Sequence, residues 1–295
     1  MSLPVLDSLS QIAGQYDGFI LDLWGVIHDG TQPYDGAANT LRKLTELGKK
    51  TVMLSNAPRR SFALVQLMGG MGIPREIYGE VMSSGEAVHI ELERRFGPHA
   101  DPWFAKLGRR CLHIGPERDK NIFDGLDIEL VSSPDKAEFL MNTGPDKFEE
   151  TVADYAPVLD ASLALKLPMV CANPDLIVIR QGKEIICAGA LAQYYEQQGG
   201  EVRYRGKPDP AIYDVCLEKL GISDRRRVLA VGDAFHTDIA GANGAGIDVL
   251  FCSGGVHSWE IGTTYGQKPD PAKVEAVIEA HDGLRPTAAI GGFLW

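Results

Sequence analysis

The chain has 295 residues, of which 44% are hydrophobic and 23% charged, so it is long enough for two ordinary domains or one large one. Its net charge of −11 at pH 7 argues against nucleic acid as a partner, because phosphate backbones bind basic surfaces, but it leaves small anionic substrates open. No run of about 18 apolar residues predicts a membrane-spanning helix, and the N-terminus lacks the pattern of a secretory signal, so we expect a cytoplasmic protein.

The first part of the chain alternates strands and helices. Gly18–Leu23 is a short apolar run, typical of a strand buried on both faces of a parallel sheet, and a helix is predicted from Gly36 to Leu47. Thr51–Leu54 predicts a second buried strand, and Arg59–Met71 predicts a second helix. This order indicates a parallel sheet with right-handed crossovers.

Residues 86–198 form a separate stretch that we interpret as an inserted α/β domain, which leaves residues 1–85 and 199–295 to form the first domain. The strands predicted near or within it are 111–114, 138–141 and 176–179, and the helices are 83–96, 146–161 and 189–197.

The last part of the chain returns to the first pattern. A helix is predicted at Pro210–Leu220 with proline in its first turn, followed by a strand at Val228–Val231. A helix of small residues at Thr237–Gly246 and a strand at Asp248–Phe251 come next. The apolar, glycine-containing tail from Ala288 to Trp295 yields no prediction.

Polar side chains stand where the predicted strands end. Asp22, Ser55 and Asp233 close three strands, and Lys207 precedes a helix. Taken singly, each has an ordinary structural explanation, as a helix cap, a turn residue or a solvated lysine. Ligands of open parallel sheets bind beyond the carboxyl ends of the strands, so together these residues indicate a site.

The residue types fit phosphoryl-transfer chemistry. Two carboxylates offer the hard oxygen ligands that Mg²⁺ takes, and a carboxylate can attack phosphorus to form an aspartyl-phosphate. A serine hydroxyl and a lysine ammonium can hold the other phosphoryl oxygens, where the transition state carries its charge.

These residues, in this order, resemble the haloacid dehalogenase-like hydrolases. The resemblance is carried by Asp22-Leu23-Trp24-Gly25-Val26, Ser55-Asn56-Ala57-Pro58, Gly206-Lys207-Pro208 and the segment 232–239, Gly-Asp-Ala-Phe-His-Thr-Asp-Ile. The long insertion between the second and third motifs is similar to that of the class IIA branch, which contains NagD-like and 4-nitrophenyl phosphatase-like enzymes. The resemblance implies a Rossmann-like parallel-sheet core with an inserted α/β cap domain of the C2 type.

The resemblance also implies a role for each motif residue. Asp22 is the expected nucleophile and a Mg²⁺ ligand, together with Asp233 and the backbone carbonyl of Trp24. Ser55 and Lys207 are expected to bind the transferring phosphoryl group, and Asp238 to support the site. A cap of this size implies a small phosphorylated metabolite as substrate, and members of the branch often form homodimers.

Candidate substrate-binding residues flank the motifs. Asn56 and Arg59 follow Ser55, and Asn173 and Asp175 belong to an Asn-Pro-Asp segment that resembles the cap loop overhanging the active site in this branch. Arg59 could instead be a solvated residue at a helix start, and the Asn-Pro-Asp segment could be no more than a tight turn.

The chain departs from the family pattern at Trp24. Phosphatases of this family have an aspartate there, which acts as general acid and base, whereas an indole cannot shuttle protons at neutral pH. Either a neighbour such as His28 or Asp29 replaces the acid, or the substrate needs little acid help. Alternatively, the fold persists as a catalytically weak or inactive metal- or phosphometabolite-binding protein. Retention of Asp22 and the other motif residues favours a Mg²⁺-dependent phosphatase.

Overall fold

A computed structural model describes residues 3–180 and 183–295. The chain divides into two compact units. Unit 1 contains the chain up to Ser55, Phe62–Met82 and Lys207–Trp295, and unit 2 contains Asn56–Ser61 and Ser83–Gly206. None of the described helices combines the length and the apolar character that crossing a membrane requires.

Unit 1 is built on a seven-stranded sheet with the order β1-β14-β13-β12-β2-β3-β4. Its strands are β1 (Val5–Leu6), β2 (Gly18–Leu21), β3 (Lys50–Ser55), β4 (Glu80–Ser83), β12 (Val228–Gly232), β13 (Asp248–Cys252) and β14 (Ala288–Ile290). Its helices are α1 (Ser10–Ala13), α2 (Ala37–Glu46), α3 (Ser61–Gly70), α7 (Pro210–Leu220), α8 (Ala240–Ala245), α9 (Ser258–Ile261) and α10 (Pro271–Ala280).

The central strands of this sheet are parallel and fully buried. Every residue of β2 and β12 is buried, as a sheet covered on both faces requires. Leu21 pairs with Val231 of β12 on one side and with Met53 of β3 on the other. After β2 the chain continues to β3 and returns much later as β12, so the strand order reverses at β2. Such a reversal is where open parallel sheets form their ligand sites.

Unit 2 contains a five-stranded parallel sheet with the order β11-β8-β7-β5-β6, and an antiparallel pair, β9 and β10. Its strands are β5 (Arg110–Ile114), β6 (Glu129–Val131), β7 (Phe139–Asn142), β8 (Met169–Cys171), β9 (Ile177–Arg180), β10 (Lys183–Ile186) and β11 (Val202–Tyr204). Its helices are α4 (Ser84–Arg94), α5 (Val152–Ala164) and α6 (Ala188–Gln197).

The α/β class with a parallel-sheet core, predicted from the sequence, is confirmed, and the differences lie at element ends. α5 begins at Val152 rather than at Asp146, because Asp154 accepts the Thr151 N–H at 2.8 Å and starts the helix there. A wider turn, Phe235–Ile239, occupies the start of the helix predicted from Thr237. The tail without a prediction supplies β14, which lies between β1 and β13.

The boundary predicted between residues 198 and 199 also differs from the division into units. Unit 2 continues to Gly206 because β11 pairs with β8 and extends the second sheet. Lys207, the next residue, is the first of the returning chain that belongs to unit 1.

Candidate active site

Neighbouring strands place Asp22, Ser55 and Asp233 at one edge of the sheet in unit 1. Asp22 directly follows β2, and Ser55 is the last residue of β3. Asp233 directly follows β12, whose Val231 carbonyl accepts the Asp22 N–H at 2.9 Å. All three side chains are buried, so the parallel strands hold their polar groups in one sheltered region.

Lys207 connects two of the carboxylates. Its Nζ donates to Asp22 Oδ1 at 2.6 Å and to Asp238 Oδ1 at 2.7 Å, and the lysine side chain is only 3% exposed. The second oxygen of Asp238 accepts the Ala234 N–H at 3.2 Å. Asp238 therefore fixes the ammonium group beside Asp22 while the loop backbone fixes Asp238.

The Asp233 carboxylate lies between two glycines. A Cβ on Gly25 would come within 1.9 Å of Asp233 Oδ2, and one on Gly255 within 2.1 Å. The Val256 N–H donates to the same oxygen at 2.7 Å. Gly25 also has φ +81°, a conformation that glycine adopts without strain. Both glycines are needed for this close approach.

The site has excess negative charge. Oxygen atoms of Asp22, Asp233 and Asp238 lie within 4.8 Å of one another, against the single ammonium of Lys207. Burial, followed by the charges of Asp22 and Asp238, raises the pKa of Asp233 well above its usual range. A divalent cation among these oxygens would remove that repulsion, and the all-oxygen donor set suits Mg²⁺. The residues present therefore fit the expected metal.

Trp24 packs against its own loop. Its ring meets the His28 ring edge-on, with centroids 5.9 Å apart, and a Cβ on Gly30 would come within 2.0 Å of the indole. The loop is closed by hydrogen bonds from the Ile27 and His28 N–H groups to the Leu23 carbonyl. The indole thus contributes packing to the turn.

His28 and Asp29, the candidate replacement acids, are poor proton donors at neutral pH. Burial lowers the pKa of His28 to about 4, so its imidazole is neutral, and its Nδ1 accepts the Gly30 N–H at 3.1 Å. Burial raises the pKa of Asp29, but hydrogen bonds from Thr31 and Gln32 outweigh it and leave the pKa below its usual value. Asp29 is therefore an ionised turn residue.

The substrate-binding candidates fall in unit 2. Asn56 donates from Nδ2 to Asp175 Oδ1 at 2.8 Å, and Asn173 Oδ1 accepts the Asp175 N–H at 3.0 Å, so these residues form one polar group. A Cβ on Gly189, at the start of α6, would come within 2.3 Å of the Pro174 carbonyl, which shows how closely the helix approaches this loop. Arg59 pairs with the buried Asp119, whose Oδ1 lies 3.1 Å from its Nε.

Sequence reasoning missed the groups that orient the carboxylates. The Val256 and Ala234 N–H groups bind Asp233 and Asp238, and backbone donors leave no side-chain signal in a sequence. Gly25 and Gly255 stand in the sequence, but their contact with Asp233 depends on the folded chain.

Comparisons with known proteins find similar sequences and similar structures. One model of the haloacid dehalogenase-like hydrolases matches residues 19–129, and a related family model matches residues 204–280. A solved structure of a haloacid dehalogenase-like hydrolase from Brucella suis is 34% identical, covering 98% of this chain and all of that one, with a TM-score of 0.82.

More distant matches carry specific names. A curated protein of Mycobacterium tuberculosis, a D-glycerol 3-phosphate phosphatase, is 27% identical over 85% of this chain and 67% of its own length. The solved structure of a p-nitrophenyl phosphatase from Archaeoglobus fulgidus is 24% identical over 95% of this chain and 97% of that one, with a TM-score of 0.70. At that identity the likeness establishes the fold alone.

Proposed function

The chain belongs to the haloacid dehalogenase-like hydrolases, and we propose that it is a Mg²⁺-dependent phosphatase that acts on a small phosphorylated metabolite through an aspartyl-phosphate on Asp22. The observation that carries the proposal is the buried Lys207 ammonium, which lies 2.6 Å from Asp22 and 2.7 Å from Asp238. A lysine held against a buried carboxylate at a strand end is placed to bind the dianionic group that this carboxylate attacks.

The residues then take distinct roles. Asp22 attacks phosphorus with one carboxylate oxygen, and the bond from phosphorus to the leaving oxygen breaks as the new bond forms. Lys207 and Ser55 bind the other phosphoryl oxygens, and Asp238 orients Lys207. Asp22, Asp233 and the carbonyl of Trp24 would hold Mg²⁺, which when bound neutralises charge on the carboxylates and the phosphoryl group.

Trp24 limits which leaving groups the site can accept. General acid help is typically worth about 10²–10⁴-fold in rate, and it matters most for an alkoxide leaving group. With neither His28 nor Asp29 suited to donate a proton at neutral pH, the site favours a phosphoester whose leaving group departs without protonation, such as a phenolate or an acyl phosphate. Water attack on the aspartyl-phosphate is slow for the same reason.

Support for a small substrate comes from the relatives and from unit 2. The named relatives are phosphatases, and the M. tuberculosis protein is named for glycerol phosphate. Asn56, Asn173 and Asp175 form a polar group that could bind the non-reacting part of a metabolite. Arg59 would have to leave its partner Asp119 to contribute a positive charge.

A parallel hydrolysis assay tests the proposal. Wild type and Asp22→Asn are assayed with Mg²⁺ on 4-nitrophenyl phosphate and on glycerol phosphate. We expect Asp22-dependent cleavage of the nitrophenyl ester and much slower cleavage of the alkyl ester. Equal rates would contradict the leaving-group argument. If neither ester is cleaved while Mg²⁺ still binds, the protein is a binding protein instead.

A further inference from the structure

A second group of metal-ligating side chains lies in unit 1, outside the site described above. His257, Glu260 and His281 each offer one ligand atom, and these atoms lie within 4.8 Å of one another. His257 directly precedes α9, Glu260 lies within it, and His281 directly follows α10. Two imidazole nitrogens and one carboxylate oxygen are a ligand set that Zn²⁺ takes in proteins.

The separations suit a single ion after small movements. His257 Nδ1 is 2.9 Å from Glu260 Oε1, and His281 Nε2 is 3.9 Å from Glu260 Oε2. Ligand atoms of tetrahedral Zn²⁺ are roughly 3.3 Å apart, given bonds of about 2.0–2.1 Å. The His281–Glu260 separation exceeds hydrogen-bond range, so stacking rather than a hydrogen bond places that imidazole.

The surroundings give the cluster one closed side and one open side. Phe235 is fully buried; it stacks on His281 at 4.9 Å between ring centroids and meets His257 edge-on at 5.2 Å. The side chains of Glu260 and His281 are 49% and 31% exposed, so an ion can enter from solvent. This combination of an apolar wall with an accessible face is a common setting for an open three-ligand site.

We propose that His257, Glu260 and His281 form a second metal site, selective for a transition metal such as Zn²⁺ over Mg²⁺, whose occupancy lowers the activity of the carboxylate site. The selectivity follows from the ligands, because imidazole nitrogen suits Zn²⁺ whereas Mg²⁺ prefers oxygen.

The link to the carboxylate site runs through His257. The Phe235 N–H donates to His257 Nε2 at 3.5 Å, while Nδ1 faces Glu260. When Nδ1 binds a metal ion, the single proton of the neutral ring must lie on Nε2. Nε2 then becomes a donor and can no longer accept the Phe235 N–H, so that hydrogen bond is lost. Phe235 lies between Asp233 and Asp238 in the chain, and Val256, which binds Asp233, precedes His257. Occupancy therefore disturbs the loop from both sides.

Zn²⁺ binding alone tests the site, independently of any phosphatase activity. Metal-free full-length protein is titrated with Zn²⁺ against a chromophoric chelator, in an Asp233→Asn background that weakens the carboxylate site. We expect one equivalent to bind. Glu260→Gln and His281→Phe each remove a ligand, so each should weaken that binding by at least the roughly 10–100-fold that loss of a ligand's hydrogen-bond partner costs. His281→Phe keeps the ring that stacks on Phe235, and His99→Phe, at an exposed histidine of unit 2, is the matched control.

The outcomes separate the two parts of the proposal. Unchanged Zn²⁺ binding in both cluster variants, or no binding in the parent, overturns the site. With saturating Mg²⁺ and the otherwise native enzyme, Zn²⁺ should lower kcat on 4-nitrophenyl phosphate by roughly 2–10-fold, the worth of one hydrogen bond. Inhibition that persists undiminished in His281→Phe arises at the carboxylate site and overturns the coupling.

Discussion

Replacing Lys207 by methionine is the perturbation that the site geometry predicts most sharply. Methionine keeps the length of the side chain and removes the ammonium group. In the metal-free protein the raised pKa keeps Asp233 protonated, so Asp22, Asp238 and Lys207 give the cluster a formal charge of −1, and Lys207→Met changes it to −2. Removing one partner from a buried ion pair costs about 3–5 kcal/mol, because the remaining charge is left buried and uncompensated.

Urea denaturation in EDTA measures this cost without a contribution from metal. We expect Lys207→Met to lower the free energy of unfolding by about 3–5 kcal/mol. Asp238→Asn added to Lys207→Met restores the formal charge to −1 and should recover part of the loss. The matched control is Lys219→Met, because Lys219 is 32% exposed and lies 3.9 Å from Glu80, where a loss of about 0–1 kcal/mol is expected.

Similar losses in the Lys207 and Lys219 variants would refute the reasoning. That result would mean that Asp22 and Asp238 do not repel one another when the ammonium is gone, through either protonation or solvation. The pair Asp22–Lys207 could then not be described as a charged, sheltered centre.

Three further predictions follow from individual contacts. Trp24→Asp should raise kcat on glycerol phosphate by roughly 10²–10⁴-fold and change kcat on the nitrophenyl ester far less. If kcat falls on both substrates while the circular dichroism spectrum is unchanged, the lack of a general acid at position 24 is not what limits the enzyme. Burial and two neighbouring carboxylates raise the pKa of Asp233, so above the ordinary carboxyl range the folded metal-free protein holds a proton that the unfolded chain has lost. The free energy of unfolding should therefore fall as pH rises through that region, by up to about 1.4 kcal/mol per pH unit for this group. Asp233→Asn should remove both this pH dependence of stability and the gain in Tm on adding Mg²⁺, as thermal denaturation across pH with and without Mg²⁺ would measure. If the pH dependence persists in the variant, another group is responsible for it. Gly25→Ala should lose Mg²⁺-dependent stabilisation and about 1–3 kcal/mol of unfolding free energy in urea, because residue 25 has φ +81° and the new Cβ would lie 1.9 Å from an Asp233 oxygen. A variant as stable as wild type would show that the loop adapts.

The part of the fold that the sequence predicts well is the part with a periodic signal. Buried apolar runs predict β2, β3, β12 and β13, and the polar residues that end these runs predict the edge where Asp22, Ser55 and Asp233 lie. The parallel arrangement follows from the helices between the runs.

The remaining features depend on contacts between distant segments. β14 is a three-residue strand that gains its structure from β1 and β13 on either side, so its own sequence carries little signal. The partners of Asp233 and Asp238 are backbone N–H groups of Val256 and Ala234. Local patterns do not reveal such contacts, because pairing across the sheet and loop geometry determine them.

The histidine cluster illustrates the same limit. His257 and Glu260 are three residues apart and suggest a pair on one helical turn, but His281 reaches them only because α10 packs against α9. The motif alone, in contrast, shows that a tryptophan stands two residues after Asp22. The structure adds that its ring packs on Gly30 and His28.

Trapping the covalent intermediate tests the central claim most directly. The protein is mixed with 4-nitrophenyl phosphate and Mg²⁺, quenched during turnover and treated with borohydride, which reduces an acyl phosphate to an alcohol. Peptide mass spectrometry should find homoserine in place of aspartate at position 22, dependent on substrate and Mg²⁺. Turnover without any modification at Asp22, or modification at another carboxylate, would contradict the assignment of Asp22 as the nucleophile.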